Sequence, residues 1–99
     1  MSTVLFAPEE YLVFHFTLAS PEGGIPTQKT ESCGIFRSVE EAFSVARMRA
    51  LKMMIAKTDP VQGDPSQRWA VIATEFGYDV KCEYLVVSRF WVHAKPVLA

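Results

Sequence analysis

Cysteine is scarce in this chain. The 99 residues include only Cys33 and Cys82, which lie far apart and form no C-x-x-C unit. This spacing lacks the close ligand pairs of a structural zinc site and the density of a disulfide scaffold. We expect two reduced thiols. A disulfide would require strand 33–36 to lie beside strand 80–87, because bridged Cα atoms must approach within about 7 Å.

Neither sign of charge dominates, and no apolar run is long. Ten basic and eleven acidic residues give a formal charge of −1, which provides no long-range attraction to nucleic acid or to an anionic membrane. Charged or turn-forming residues interrupt each apolar run before the roughly 18 residues of a membrane span. Residues 1–7 contain no Lys or Arg and are too short for a signal-peptide core. The sequence therefore predicts a cytoplasmic protein without a membrane partner, and nucleic acid is an unfavoured partner.

The composition is sufficient for a hydrophobic core. Hydrophobic residues make up 49% and aromatic residues 12% of the sequence. This composition excludes a disordered chain, because disorder is typical of sequences with low hydrophobicity and high net charge. A chain of 99 residues is near the commonest domain size and buries roughly 60 to 70% of its unfolded surface. We expect a single domain over residues 1–99 that needs no metal or disulfide to fold.

The first half of the chain predicts a β-hairpin. Residues 11–19 are rich in aromatic and β-branched side chains, a composition typical of a strand. Turn-forming residues at 20–26 interrupt the chain before a weaker, more polar strand at 27–36, in which Gly34 suggests a bulge. The two faces of the first strand are Leu12, Phe14, Phe16 and Leu18, and Tyr11, Val13, His15 and Thr17.

The second half predicts two more strands after a helix. An exposed loop at 61–67 precedes a strand at 69–76, a turn at 77–79 and a long final strand at 81–93, with a bulge suggested at Ser88–Arg89. The expected inner residues of the final strand are Tyr84, Val86, Ser88, Phe90 and Val92, and the outer ones are Leu85, Val87, Arg89, Trp91 and His93.

Residues 38–57 predict the main helix. Ser38 and Glu41 fit a capping box, in which the Ser38 hydroxyl accepts a backbone N–H and the Glu41 carboxylate reaches back. Asp59–Pro60 ends the helix, because proline disfavours helical geometry in the residue before it. One stripe, roughly 120° wide, would face the core. It consists of Val39, Ala42, Phe43, Ala46, Ala50, Met53 and Met54.

These elements predict an α+β fold with two layers. Three or four antiparallel strands would form the sheet, with one main helix on one face, in the order ββαββ. Met53, Met54, Phe14 and Phe16 are expected to be core residues rather than the lining of a ligand pocket between helix and sheet.

Apolar residues remain on surfaces that such a fold does not cover. Met48, Leu51 and Ile55 lie nearly opposite the core stripe of the helix, and a contiguous apolar stripe is often a contact surface. The outer side of the final strand also contains large apolar residues, which a sheet covered on one face does not need. The candidate interface residues are Met48, Leu51, Ile55, Leu85, Val87 and Trp91.

Chemistry-bearing residues form no recognisable motif. His15, His93 and the two cysteines would make a Cys2His2 metal site only if distant segments converged. Cys33 precedes the helix cap by five residues, too far for the helix dipole to activate its thiol. The basic residues Arg47 and Arg49 point in different directions around the helix rather than forming one phosphate-binding face. The sequence therefore predicts no catalytic, cofactor-binding or metal-binding residue.

The segment Gly34-Ile35-Phe36-Arg37-Ser38-Val39-Glu40-Glu41-Ala42, after a strand and a hairpin, resembles the corresponding part of HicB-type antitoxins. The resemblance covers roughly the first half of the chain and implies an antitoxin-like or nucleic-acid-linked regulator. No helix-turn-helix or ribbon DNA-binding segment follows it, which departs from the complete antitoxin pattern.

Three functional hypotheses follow. The favoured one is a small non-enzymatic binding or adaptor protein that acts through homodimerisation or a protein partner. It is favoured because the helix and the final strand both have apolar residues on two sides, while the sequence contains no catalytic motif. The first alternative is a small-ligand-binding domain or enzyme with an apolar pocket between helix and sheet. The second is the antitoxin-like or nucleic-acid-linked regulator.

Overall fold

Six elements build the fold, in the order ββαβββ. A computed structural model describes residues 9–18, 29–59, 61 and 67–96. The elements are strands β1 (Glu9–Thr17) and β2 (Lys29–Phe36), helix α1 (Val39–Thr58), and strands β3 (Trp69–Thr74), β4 (Gly77–Cys82) and β5 (Leu85–Pro96). The predicted α+β class is confirmed. The predicted segments at 1–7 and 20–26, and most of the loop at 61–67, lie outside the described residues.

The five strands form one antiparallel sheet in the order β2-β1-β5-β4-β3. The first and last strands pair at its centre, with Val13 opposite Val92 and Phe14 opposite Trp91. The predicted hairpin is present, and its register shifts where Val13 faces Gly34 and Phe14 faces Ser32. The extra residue at this bulge is Cys33, adjacent to the glycine at which the bulge was predicted.

The sequence predicts two strands after the helix, whereas the structure has three, β3, β4 and β5. The tight turns fall at 75–76 and 83–84, so the expected turn at 77–79 is the start of β4. Gly77 is there because a side chain would collide with β5, not because it turns the chain. Glu83 has a φ of 55° and ends β4 two residues into the expected final strand. Tyr84, an expected inner residue, is 96% exposed in that turn.

From Ser88 onward the inner residues of β5 agree with the sequence pattern, whereas Val86, also expected to be inner, lies before the bulge opposite Lys81 and is not part of the core. Ser88 and Phe90 are buried beneath the helix, and Val92 packs against the same core. Val80 pairs with Ser88 and Lys81 pairs with Val86, so the bulge falls at Val87, one residue before the predicted position.

Local capping starts the helix as predicted. The Ser38 hydroxyl oxygen accepts the backbone N–H of Glu41 at 3.3 Å. The same hydroxyl donates to the carboxylate of Glu40 at 2.8 Å, so Glu40 rather than Glu41 binds the cap side chain. The helix ends at Thr58, immediately before the predicted Asp59–Pro60 boundary.

Three alanines bring the helix close to the sheet. Ala42, Ala46 and Ala50 are completely buried against Val13, Val80 and Phe90. A small side chain at each contact lets the helix backbone approach the strands, and packing then excludes solvent from the strand residues below. Of the expected core stripe, Met53 packs against this core, whereas Val39 is 36% exposed at the helix start.

The strand order separates the two cysteines. Cys33 is in β2 and Cys82 is in β4, with β1 and β5 between them. The condition for a disulfide, that their strands be neighbours, is therefore not met, and the two residues are not bonded to each other.

Candidate functional site

Helix α1 packs against one face of the sheet. Val13 and Phe90 pack against the helix, so their chain neighbours Phe14 and Trp91 point to the opposite side. In the part of the chain that the structure describes, no helix lies on that side, which we call the open face. The open face includes Leu12, Phe14, Phe16, Phe76, Trp91, Asp79, Arg89 and His93.

Aromatic rings form a continuous cluster on the open face. Phe16 lies 6.1 Å from Phe14 and 6.3 Å from Trp91, measured between ring centroids, and meets the indole edge-on. Phe76 lies 5.4 Å from Trp91, and His93 lies 6.5 Å from Phe14. These spacings are typical of favourable aromatic pairs. The rings surround a shallow hollow of about 420 Å³, lined by Phe14, Phe16, Phe76, Trp91, Val92 and His93.

The turn between β3 and β4 holds Phe76 over this cluster. The carbonyl oxygen of Phe76 accepts the backbone N–H of Val92 at 2.8 Å. Next to it, Gly77 lies so close to β5 that a Cβ atom would overlap the carbonyl oxygen of Phe90. The absence of a side chain at Gly77 therefore lets the turn dock on β5, while the ring of Phe76 remains 51% exposed.

One ion pair lies among the rings. The Arg89 Nε donates to both carboxylate oxygens of Asp79, at 3.1 and 3.3 Å. The Arg89 guanidinium carbon also lies 4.7 Å from the centroid of Trp91, within cation–π range. Asp79 is only 6% exposed, and a buried carboxylate is costly unless paired. The ion pair therefore fixes Arg89 over the indole.

The candidate interface residues on the helix form a separate surface. Met48 and Ile55 are 48% and 63% exposed, and Leu51 between them is partly exposed. They lie on the side of α1 that is opposite the buried alanines. The helix therefore does present the predicted apolar stripe, but away from the open face.

The three candidate residues on the final strand do not form one surface. Trp91 belongs to the aromatic cluster, and Leu85 is 44% exposed at the beginning of β5. Val87, the residue at the bulge, is only 4% exposed, so it offers little area to a partner. Whether any of these residues contacts another molecule stays a prediction.

Sequence reasoning missed most of the aromatic cluster. Phe14 and Phe16 were expected in the helix-facing core, yet they line a hollow on the open face. The available signal was the alternation in β1, where Tyr11 and Val13 are also apolar and compete for the core side. Phe76 was assigned to a strand, and no local pattern indicates that its turn folds over Trp91.

His15 lies on the helix side of β1 and is held there by two contacts. Its Nε2 is 3.0 Å from the hydroxyl oxygen of Ser88, and its ring stacks on Phe90 with a centroid distance of 4.3 Å. Burial lowers the pKa of His15, Arg49 lowers it further, and Glu31 opposes the shift. The neutral imidazole is therefore the favoured form in the folded protein.

This contact between His15 and Ser88 is a poor catalytic pair. Ser88 is completely buried, so a substrate cannot reach its hydroxyl. Burial raises the pKa of the nearby Cys33 thiol, which keeps it protonated and weakly nucleophilic.

The described residues contain no group of three or more His, Cys, Asp or Glu side chains that could hold a metal ion. Over the same residues, no helix has both the length and the apolar character needed to span a bilayer.

The buried His15 predicts a loss of stability in mild acid. In the unfolded chain its pKa is about 6.5. Because the folded pKa is lower, the unfolded state binds more protons below about pH 6.5, and stability falls as pH decreases through this window. Urea midpoints between pH 7.5 and 5 measure the effect. We expect a weaker pH dependence for His15→Gln than for wild type.

The matched control for this prediction is the other histidine of the chain. His93→Gln removes the other imidazole without disturbing the contacts of His15 with Ser88 and Phe90, so comparing the two variants assigns any change in pH dependence to one site. Equal pH dependence in wild type and His15→Gln would contradict the prediction.

Comparison with protein-family models, curated proteins and solved structures gave no match for this chain.

Proposed function

We propose that this protein is a small non-enzymatic binding protein and that the open face is its binding surface. One observation carries the proposal. Phe14, Phe16, Phe76 and Trp91 form a single cluster around a hollow on the side of the sheet opposite the helix.

Covering this aromatic cluster with a binding partner would be energetically favourable. Fully burying one large apolar side chain contributes about 1.5 to 3 kcal/mol, and large aromatic rings are common anchors of interfaces. Isolated exposed apolar residues are normal on protein surfaces, but a contiguous patch commonly marks an interaction site. The aromatic rings of the open face form such a contiguous patch.

The polar groups of the fold support binding rather than catalysis. His15 and Ser88 contact each other beneath the helix, where Ser88 is completely buried. Asp79 is paired with Arg89 and therefore not poised as a general base. Each of these groups has a structural role that accounts for its position.

A small apolar ligand is the second candidate occupant. The hollow of about 420 Å³ is within the range of small-molecule sites, about 300 to 1,000 Å³. It lies on the open face, however, and not between helix and sheet, where the alanines of α1 fill the space. Its shallow form favours a protein side chain over a ligand that must bury most of its surface.

Position-specific photo-crosslinking in the native host cells tests the proposal. Phe76 is replaced by p-benzoylphenylalanine, which preserves its aromatic character at a half-exposed site beside the hollow. We expect a protein adduct after irradiation. The absence of any protein adduct at this position would contradict binding of a protein partner at the open face and leave the small-ligand hypothesis.

Two control positions show whether an adduct is specific to the open face. Tyr84 is 96% exposed in the turn between β4 and β5, and Ile55 is 63% exposed on the apolar stripe of the helix. The same replacement at Tyr84 should give no adduct. An adduct from Ile55 but not from Phe76 would move the binding surface to the helix.

A further inference from the structure

The buried carboxylate of the open face has its counter-charge within the same chain. The carboxylate of Asp79 is buried and accepts from Arg89, whose guanidinium lies over Trp91. A second apolar surface can therefore pack here without leaving this carboxylate unpaired. The formal charge of the whole chain is −1, so two copies repel each other only weakly.

The dimensions of the open face suit a sheet-to-sheet contact. Its five strands contain six to twelve residues each. At about 4.8 Å between strands and about 3.3 Å per residue, the face covers roughly 500 to 650 Å². Covering two such faces removes roughly 1,000 to 1,300 Å², which reaches the lower part of the range for specific interfaces, about 1,200 to 2,000 Å².

A second copy also matches the shape of this face. Two identical sheets have the same twist, and sheets of equal twist pack aligned about 30° apart with interdigitating side chains. In a two-fold contact, each copy offers both the projecting Phe76 ring and the hollow beside it. One surface thus provides the two complementary features that an isologous interface requires.

We propose that the occupant of the open face is a second copy of this chain, in a symmetric homodimer whose two sheets pack face to face. This inference rests on the proposed function, because it names the partner of the same surface. The aromatic cluster forms the centre of the interface, and the pairing of Arg89 with Asp79 keeps charge balanced at that centre.

The mass of the purified 99-residue chain in solution tests the proposal. Sedimentation equilibrium from micromolar to submillimolar concentration should give about 22 kDa, twice the 11.1 kDa of one chain. Phe76→Glu should raise the dimer dissociation constant by about 100-fold or more, because it places an unpaired carboxylate in a desolvated contact. Phe76 is half-exposed and outside the helix-facing core, so this variant should keep the wild-type circular dichroism spectrum.

Ile55→Glu is the matched control, because it makes the same chemical change on the helix stripe. It should leave the dimer intact. A wild-type mass of 11.1 kDa at every concentration would overturn the homodimer, as would a dimer that survives Phe76→Glu but dissociates with Ile55→Glu. A monomer whose position 76 crosslinks to a different protein in cells would refute the second copy and leave the binding surface standing.

Discussion

Gly77→Ala is expected to lower the free energy of unfolding by about 3 kcal/mol, from overpacking and backbone strain together. A Cβ atom at this position overlaps the carbonyl oxygen of Phe90 and lies 3.0 Å from the Cα of Trp91. Both obstacles are backbone atoms of β5, so relief requires the two strands to separate. Urea denaturation at one fixed protein concentration measures the loss, because association contributes to apparent stability.

Gly34→Ala is the control for this substitution. Gly34 also has a positive φ, 127°, but its nearest neighbour would be the tip of the Phe36 ring at 3.0 Å. A side chain can rotate away more readily than a strand can move, so we expect a clearly smaller loss. Equal losses at the two glycines would show that φ alone, and not the approach of β4 to β5, explains the requirement at Gly77.

Ala46→Leu is expected to cost about 2 to 3 kcal/mol, because extra methylene groups in a filled interface force backbone shifts. Ala46 is completely buried in the middle of the alanine row that faces the sheet. Alanine and leucine have similar helix propensities, so the cost reports on packing between helix and sheet. Thermal and urea unfolding of the variant provide the measurement.

The same substitution at Ala56 separates packing from helix propensity. Ala56 is exposed in the same helix, so Ala56→Leu should change stability by no more than about 0.5 kcal/mol. If Ala46→Leu were as mild as Ala56→Leu, the helix would not lie as close to the sheet as the buried alanines indicate.

Features that depend on neighbouring residues could be predicted from the sequence. The helix begins after Ser38 and ends at Thr58 because a side-chain cap and a following proline act within one turn of the chain. The alternation in β1 and the bulge beside Gly34 are equally local. The apolar stripe with Met48 and Ile55 also follows directly from helical periodicity.

The turns in the second half of the chain could not be predicted in the same way. Gly77 favours a turn by composition, but here it permits close contact with a strand that lies more than ten residues away along the chain. Glu83, which carries the positive φ at the next turn, is not a residue type that marks one. The prediction therefore merged two strands and placed Tyr84 in the core.

The sequence by itself determined the α+β class, the ends of the helix and the presence of more apolar surface than one helix covers. Only the tertiary structure decided where that surface lies. Both faces of β1 carry apolar residues, and the choice between them depends on pairing with β5, more than 70 residues away, as the contact between His15 and Ser88 shows. The alanines of α1 fit closely over Val13 and Val80, so Phe14 and Phe16 are left on the other side beside Trp91. Long-range packing, which no local pattern encodes, therefore created the candidate binding surface.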